Sequence, residues 1–159
     1  MTTKARWGDA STLLAKAGVQ EDTSYYGQFT APDEKAALTA CMRVQAAWAA
    51  NDADAFAEVF TDNGSLLMQD NQLVSREEIR EYMAQGFAGG LKGARVKGWP
   101  IEVTFLSEDV AMVVTEGGII MAGDTDIASE NLIRATWVIV RQPDGQVRLV
   151  SHQSSPVKG

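Results

Sequence analysis

The chain has 159 residues, 45% of them hydrophobic and 22% charged, with a net charge of −7, one cysteine and one histidine. That length and balance describe one globular domain able to bury a core. An acidic chain lacks the basic surface that nucleic acid needs, no apolar run approaches the roughly 18 residues of a membrane helix, and one histidine with one cysteine cannot build a zinc site.

Residues 1–31 read as an N-terminal arm. They carry no apolar leader, which with the lone Cys41 suits a reducing cytoplasm. Asp9 to Gly18 predicts a short helix, capped by Ser11 or Thr12 and stopped by Gly18. Glu21 to Thr30 is polar but holds Tyr25, Tyr26 and Phe29. It is either loosely ordered or packed over a pocket mouth or a partner subunit.

The main domain, 32–156, opens with a helix at Pro32, and Thr30 to Asp33 resembles a capping box. Leu38, Cys41, Met42, Gln45, Trp48 and Ala49 recur at three- and four-residue steps and form its buried stripe. On that stripe Cys41 reads as a buried structural thiol. Asn51-Asp52 ends the helix, and Asp52 caps a second one, Ala53 to Phe60. Thr61 to Gly64 reads as a turn, Ser65 to Met68 as a short strand and Gln69 to Leu73 as a loop. Ser75-Arg76-Glu77-Glu78 is a capping box for a third helix running to Ala88, with Ile79, Tyr82, Met83, Gly86 and Phe87 inward. Gly89-Gly90 would supply its left-handed stop.

Four strands follow, over 92–106, 109–122, 130–142 and 146–154, as an antiparallel meander, and 157–159 is a tail. Helices first and a sheet afterwards is an α+β signature. A two-residue Asp144-Gly145 turn pairs Arg141 with Arg148, Ile139 with Val150 and Trp137 with His152. One face then carries Ala135, Trp137, Ile139, Val150, His152 and Ser154. The other carries Arg134, Thr136, Val138, Val140, Val147, Leu149, Ser151 and Gln153, and any bulge would flip part of this. Both faces are apolar, so one should cover the helices and a pocket while the outer face meets a second copy in a homodimer.

The order helix, short helix, strand, helix, four strands resembles the nuclear transport factor 2-like fold. The resemblance rests on Trp48 to Gly64, on Val74 to Arg80, and on the closing hairpin from Arg134 through Asp144-Gly145 to Ser155, and covers residues 33–156. It implies a cone-shaped barrel: a curved mixed or antiparallel sheet wrapped around N-terminal helices. Within that superfamily the chain resembles the SnoaL-like polyketide-associated proteins, above all the SgcJ/EcaC group of enediyne antibiotic biosynthesis. The resemblance implies a hydrophobic, polyketide-derived small molecule in an internal pocket and no cofactor. Gly86, Gly89, Gly90 and Gly93 follow a helix instead of joining a strand to one, so they are no dinucleotide fingerprint and lend no support to an oxidoreductase.

His152 shares a face with Trp137, which by resemblance lines the cone, and a neutral imidazole there can move a proton; the alternative is a hydrogen-bonded core histidine. Glu116 shares parity with Met112 and Val114, and is either a pocket carboxylate raised by desolvation or an exposed group. Tyr82 can donate to a carbonyl oxygen or sit as a core tyrosine. The isomerase and cyclase families use a pocket aspartate, and none can be placed here. Trp48, Phe60, Met68, Trp99, Met112 and Trp137 are candidate walls of an apolar pocket or simply core. Three functions stay open: cofactor-free acid–base catalysis on a polyene or cyclising intermediate, a non-catalytic binding module, or an assembly module acting through the outer sheet face.

Overall fold

A computed structural model describes residues 6–157; the first five residues of the arm and the last two of the tail lie outside the described residues. The elements run α1 (Ala10–Lys16), a 3-10 turn (Thr23–Tyr26), α2 (Pro32–Ala49), α3 (Ala53–Glu58), β1 (Phe60–Met68), β2 (Asn71–Leu73), α4 (Arg76–Ala88), β3 (Arg95–Ser107), β4 (Val110–Ile120), a 3-10 turn (Ser129–Asn131), β5 (Leu132–Arg141) and β6 (Val147–Pro156). The strands form one open six-stranded sheet in the order β2-β1-β6-β5-β4-β3. The β3–β6 meander is antiparallel throughout, whereas β1 joins β6 in parallel, so the sheet is mixed. The α+β cone-like architecture expected from the sequence is the one observed, with α2 against the concave face of a curved sheet.

The arm is docked, not loose. Trp7 is buried, donates its indole N–H to the Glu108 carbonyl at 2.9 Å and meets Phe105 edge-on. The α1 cap is Asp9, not Ser11 or Thr12: its carboxylate accepts the Thr12 amide. Tyr25 and Tyr26 are buried, and Tyr26 donates to Glu21. The Thr30–Asp33 box is not formed either. Glu34 accepts from the Ala31 amide, while Asp33 accepts from the Trp7 amide and so ties the arm to α2.

Asp52 caps α3 and Ser75 caps α4 as their positions require. Gly89 does not take the left-handed shape at the end of α4, with φ of −131°; the positive φ comes later, at Gly93. The expected turn at Thr61–Gly64 is an irregular stretch inside β1, where pairing jumps from Phe60↔Leu149 to Ser65↔Ser151. The expected loop after it is a hairpin: Gln69 and Asp70 both hold positive φ, and Asn71–Leu73 folds back as β2. Two successive left-handed residues match the twist of a tight hairpin, and a Gln-Asp pair carries that signal far less visibly than Asn-Gly.

The Asp144-Gly145 hairpin differs by one residue from its expected form. Gly145 donates to the Gln142 carbonyl and Gln142 to that of Gln146, leaving a three-residue loop with Gly145 at φ +83°. Pro143 suits the first corner of such a turn, because its ring holds φ near −65°. Arg141 therefore pairs with Val147 and Ile139 with Leu149. A bulge at Val150 then restores Val138↔Ser151 and Trp137↔His152. Two irregularities of one residue cancel, so the His152 pairing is as read from the sequence. Val147 and Leu149, assigned to the outer face, are instead buried on the inner one.

Candidate functional site

Alternation along β4 settles the two faces. Ala111, Val113 and Thr115 are buried and face inward, so Met112, Val114 and Glu116 face out. The inner face holds rows of small residues. Gly98 pairs with Gly117, and Thr115 with Ala135, which pairs in turn with Ser154. Missing side-chain volume leaves a cavity of about 310 Å³ between the sheet and α2. Gly117 is obligatory for the close β3–β4 approach behind it: a Cβ there would lie 2.2 Å from the Lys97 carbonyl oxygen.

Trp48, Phe56, Phe60, Leu66, Met68, Trp137 and Leu149 give the cavity an apolar wall. Gln45, Thr115, His152 and Ser154 reach that wall, as do Cys41 of α2 and Tyr25 of the arm. A mostly apolar pocket with a few placed polar groups is the usual form of a small-molecule site. Trp137 and His152 are a cross-strand pair, their rings 4.5 Å apart and edge-to-face. The Trp137 indole donates to Thr115 Oγ1 at 2.9 Å, leaving the Thr115 hydroxyl proton free for another acceptor.

His152 is the anomaly of this wall. Its Nδ1 is buried and has no hydrogen-bond partner. Desolvation lowers its pKa from 6.5 to about 4, so the imidazole is neutral at pH 7. A neutral imidazole carries one N–H donor and one acceptor nitrogen. Burial acts the other way on the acids nearby. It pushes the Cys41 thiol up to about 12, which leaves it inert as a nucleophile, and raises the Tyr25 hydroxyl well above its ordinary value, which keeps it a donor.

The structure thus gathers His152, Trp137, Trp48, Phe60 and Met68 around one cavity and sets the other four candidates apart. Glu116 lies on the outer face, where its carboxylate meets the Arg134 guanidinium at 3.2 Å. Trp99, its cross-strand partner, is 42% exposed on that same face, and Met112 faces out two rows away. Tyr82 donates to Gln69 at 2.8 Å and accepts from Asn71, bracing α4 against the β1–β2 hairpin. The parity argument was sound for Glu116 and Met112, but nothing local says which parity of a two-sided apolar strand faces in.

Tyr25, Gln45, Thr115 and Ser154 were not singled out as site residues. Gln45 had a signal, a polar residue on a buried helical stripe, and Ser154 shares the parity of His152. Tyr25 had none beyond its aromatic ring. Among the described residues no aspartate lines the cavity, and no cluster of three or more histidine, cysteine, aspartate or glutamate residues is placed to hold a metal. Among the described residues no helix is long and apolar enough to cross a membrane.

A family model described as a SnoaL-like domain matches residues 37–158. A domain of unknown function with a cystatin-like fold from Nostoc punctiforme superposes with a TM-score of 0.73 at 20% identity, over 82% of this chain and 80% of that one. An NTF2-like protein with a cystatin-like fold from Novosphingobium aromaticivorans gives 0.64 at 18%, over 76% and 79%. A ketosteroid isomerase-like protein from Erwinia carotovora gives 0.58 at 19%, over 76% and 92%. At these identities the structures share the fold. No curated protein matches the chain.

Proposed function

The chain belongs to the SnoaL-like domain family, and from that premise we propose that it binds a hydrophobic, polyketide-derived intermediate in its cavity and moves a proton on it without a cofactor. The observation that carries this reading is His152, a neutral imidazole on the wall of an apolar cavity. A titratable group with a strongly shifted pKa on the wall of a pocket fits a group that acts on a bound ligand. In this reading the His152 imidazole takes a proton from an activated C–H or O–H of the intermediate and returns it at another position. The substrate isomerises or cyclises with no net change in protons. The Thr115 and Tyr25 hydroxyls can donate to the oxygen on which negative charge develops. The isomerase-like description of the Erwinia carotovora protein points to the same chemistry.

The finer setting is the SgcJ/EcaC group of enediyne antibiotic biosynthesis, with a polyene or cyclising intermediate as the ligand. Trp48 and Trp137 on the wall supply the assay. A linear conjugated polyene should quench tryptophan fluorescence saturably, with one site and a Kd of about micromolar. Absence of saturable quenching sinks the reading. Binding without conversion of a pathway intermediate leaves the non-catalytic carrier, the alternative favoured by how weak a base an imidazole with a pKa of about 4 is.

The outer sheet face supports a homodimer. Met112, Val114, Val138 and Val140 lie there as one apolar stripe beside Trp99. Patches of this kind on a soluble domain mark an interface. Sedimentation at micromolar concentration should give twice the 17.2 kDa of one chain, and a single-chain mass would overturn the dimer.

A further inference from the structure

Helix α2 presents a second cleft on a different face from the cavity. Cys41, Val44, Gln45 and Trp48 border the cavity, while Thr39 and Arg43, one turn apart, border a polar cleft of about 250 Å³. Lys16 and Arg148 reach the same cleft, with Glu58 as its one carboxylate. In a chain with 14 basic and 21 acidic residues, three cations against one carboxylate reverse the overall balance.

The charges are held but not neutralised. Arg43 donates to the Val147 carbonyl at 3.1 Å and the Glu58 carbonyl at 3.5 Å, contacts that fix the guanidinium without cancelling its charge. Among the described residues no carboxylate forms an ion pair with Arg43 or Lys16. The Glu58 carboxylate is engaged by Arg80 at 3.6 Å; Arg148 donates to the Gln142 side-chain oxygen and has the exposed Asp144 at 3.6 Å as its one ion-pair partner among the described residues. Burial, and then the neighbouring Arg148, lower the Arg43 pKa against a smaller opposing effect of Glu58, as expected for cations crowded without full countercharge.

We infer that this cleft is a binding site for a small oxyanion, a phosphate or carboxylate group gripped by Arg43 and Arg148 with Lys16 at its rim. Two guanidinium forks with free N–H donors suit the oxygens of such a group, and an incoming anion relieves the repulsion between them.

The test is an amide NMR titration with inorganic phosphate, with chloride holding ionic strength constant. Arg43 also ties α2 to β6 and α3, so the variants are Arg148→Gln and Lys16→Gln. Saturable shifts are expected at Lys16, Arg43 and Gln146–Arg148, with the cavity residues unmoved. Affinity should fall about tenfold in Arg148→Gln, which loses a partly buried donor, and about threefold in the more exposed Lys16→Gln. Acetate in place of phosphate shows which oxyanion the site prefers: tighter phosphate binding assigns a phosphoryl group, tighter acetate binding a carboxylate. Shifts that never saturate, that scatter over the surface, or that keep full strength in Arg148→Gln overturn the site.

Discussion

Replacing His152 with Leu is expected to stabilise the protein at pH 7 and abolish conversion of the bound intermediate. Leucine is close in volume and removes the buried Nδ1 that lacks a partner. An unsatisfied buried polar group costs about 1–3 kcal/mol, so urea unfolding should show a gain of about 1–2 kcal/mol. The gain should grow with acid. The wild-type imidazole has its folded pKa lowered to about 4 against 6.5 unfolded, so between those values the unfolded chain binds more protons. Wild-type stability is therefore fully present above pH 6.5 and falls as pH drops toward 4, by up to about 3 kcal/mol. The variant should lack this component. Polyene binding should survive, because the cavity wall stays apolar, while proton transfer is lost. A variant less stable than wild type at pH 7 would overturn the reading of Nδ1 as a buried polar atom without a partner.

Gly117→Ala is expected to be the most damaging single-methyl change in the sheet. The added Cβ would meet the Lys97 carbonyl oxygen at 2.2 Å and the Gly98 Cα at 2.6 Å, both backbone atoms of the adjacent strand. No side chain can swing aside, so β3 must separate from β4 beside the cavity. Overpacking ordinarily costs about 1–3 kcal/mol, and a clash with an immobile ladder belongs at or above the top of that range. For a chain of this size about 3 kcal/mol lowers Tm by roughly 6–12 °C. Gly123→Ala is the control. Gly123 has φ of +89° but open space around it, so its loss should cost about 1 kcal/mol of backbone strain alone. Equal Tm losses in the two variants would show that β3 and β4 do not approach this closely.

Both predictions rest on inward-facing positions of the sheet, and these were unevenly legible. The pairing of His152 with Trp137 could be read because a turn signal and period-two alternation fix a hairpin locally. It emerged correct although the loop is one residue longer than read, since the Val150 bulge offsets the shift. Bulges depend on how a strand bends over its neighbours, and composition does not announce them. Glu116 shows the converse. Its parity with Met112 and Val114 was read correctly, but all three are outward, because both parities of β4 carry apolar residues and only the position of α2 makes one of them the inside. Tyr82 sits on the inward stripe of α4, yet that stripe meets α3 and the β1–β2 hairpin and not the cavity.

The sequence by itself determined the order of the helices and of every strand but β2, the helix caps at Asp52 and Ser75, the α+β class and the burial of Cys41. These follow from local propensity, capping chemistry and hydrophobic period, which act over a few residues. Tertiary structure alone decided that the arm packs down through Trp7 and Tyr25, that β1 joins β6 in parallel, and which polar groups share a cavity. Each of these depends on contacts between residues far apart in the chain. The cavity in particular exists because Gly98, Gly117, Ala135 and Ser154, small residues on four different strands, meet in adjacent rows under α2. Its volume is a sum of absences, which no single stretch of sequence contains.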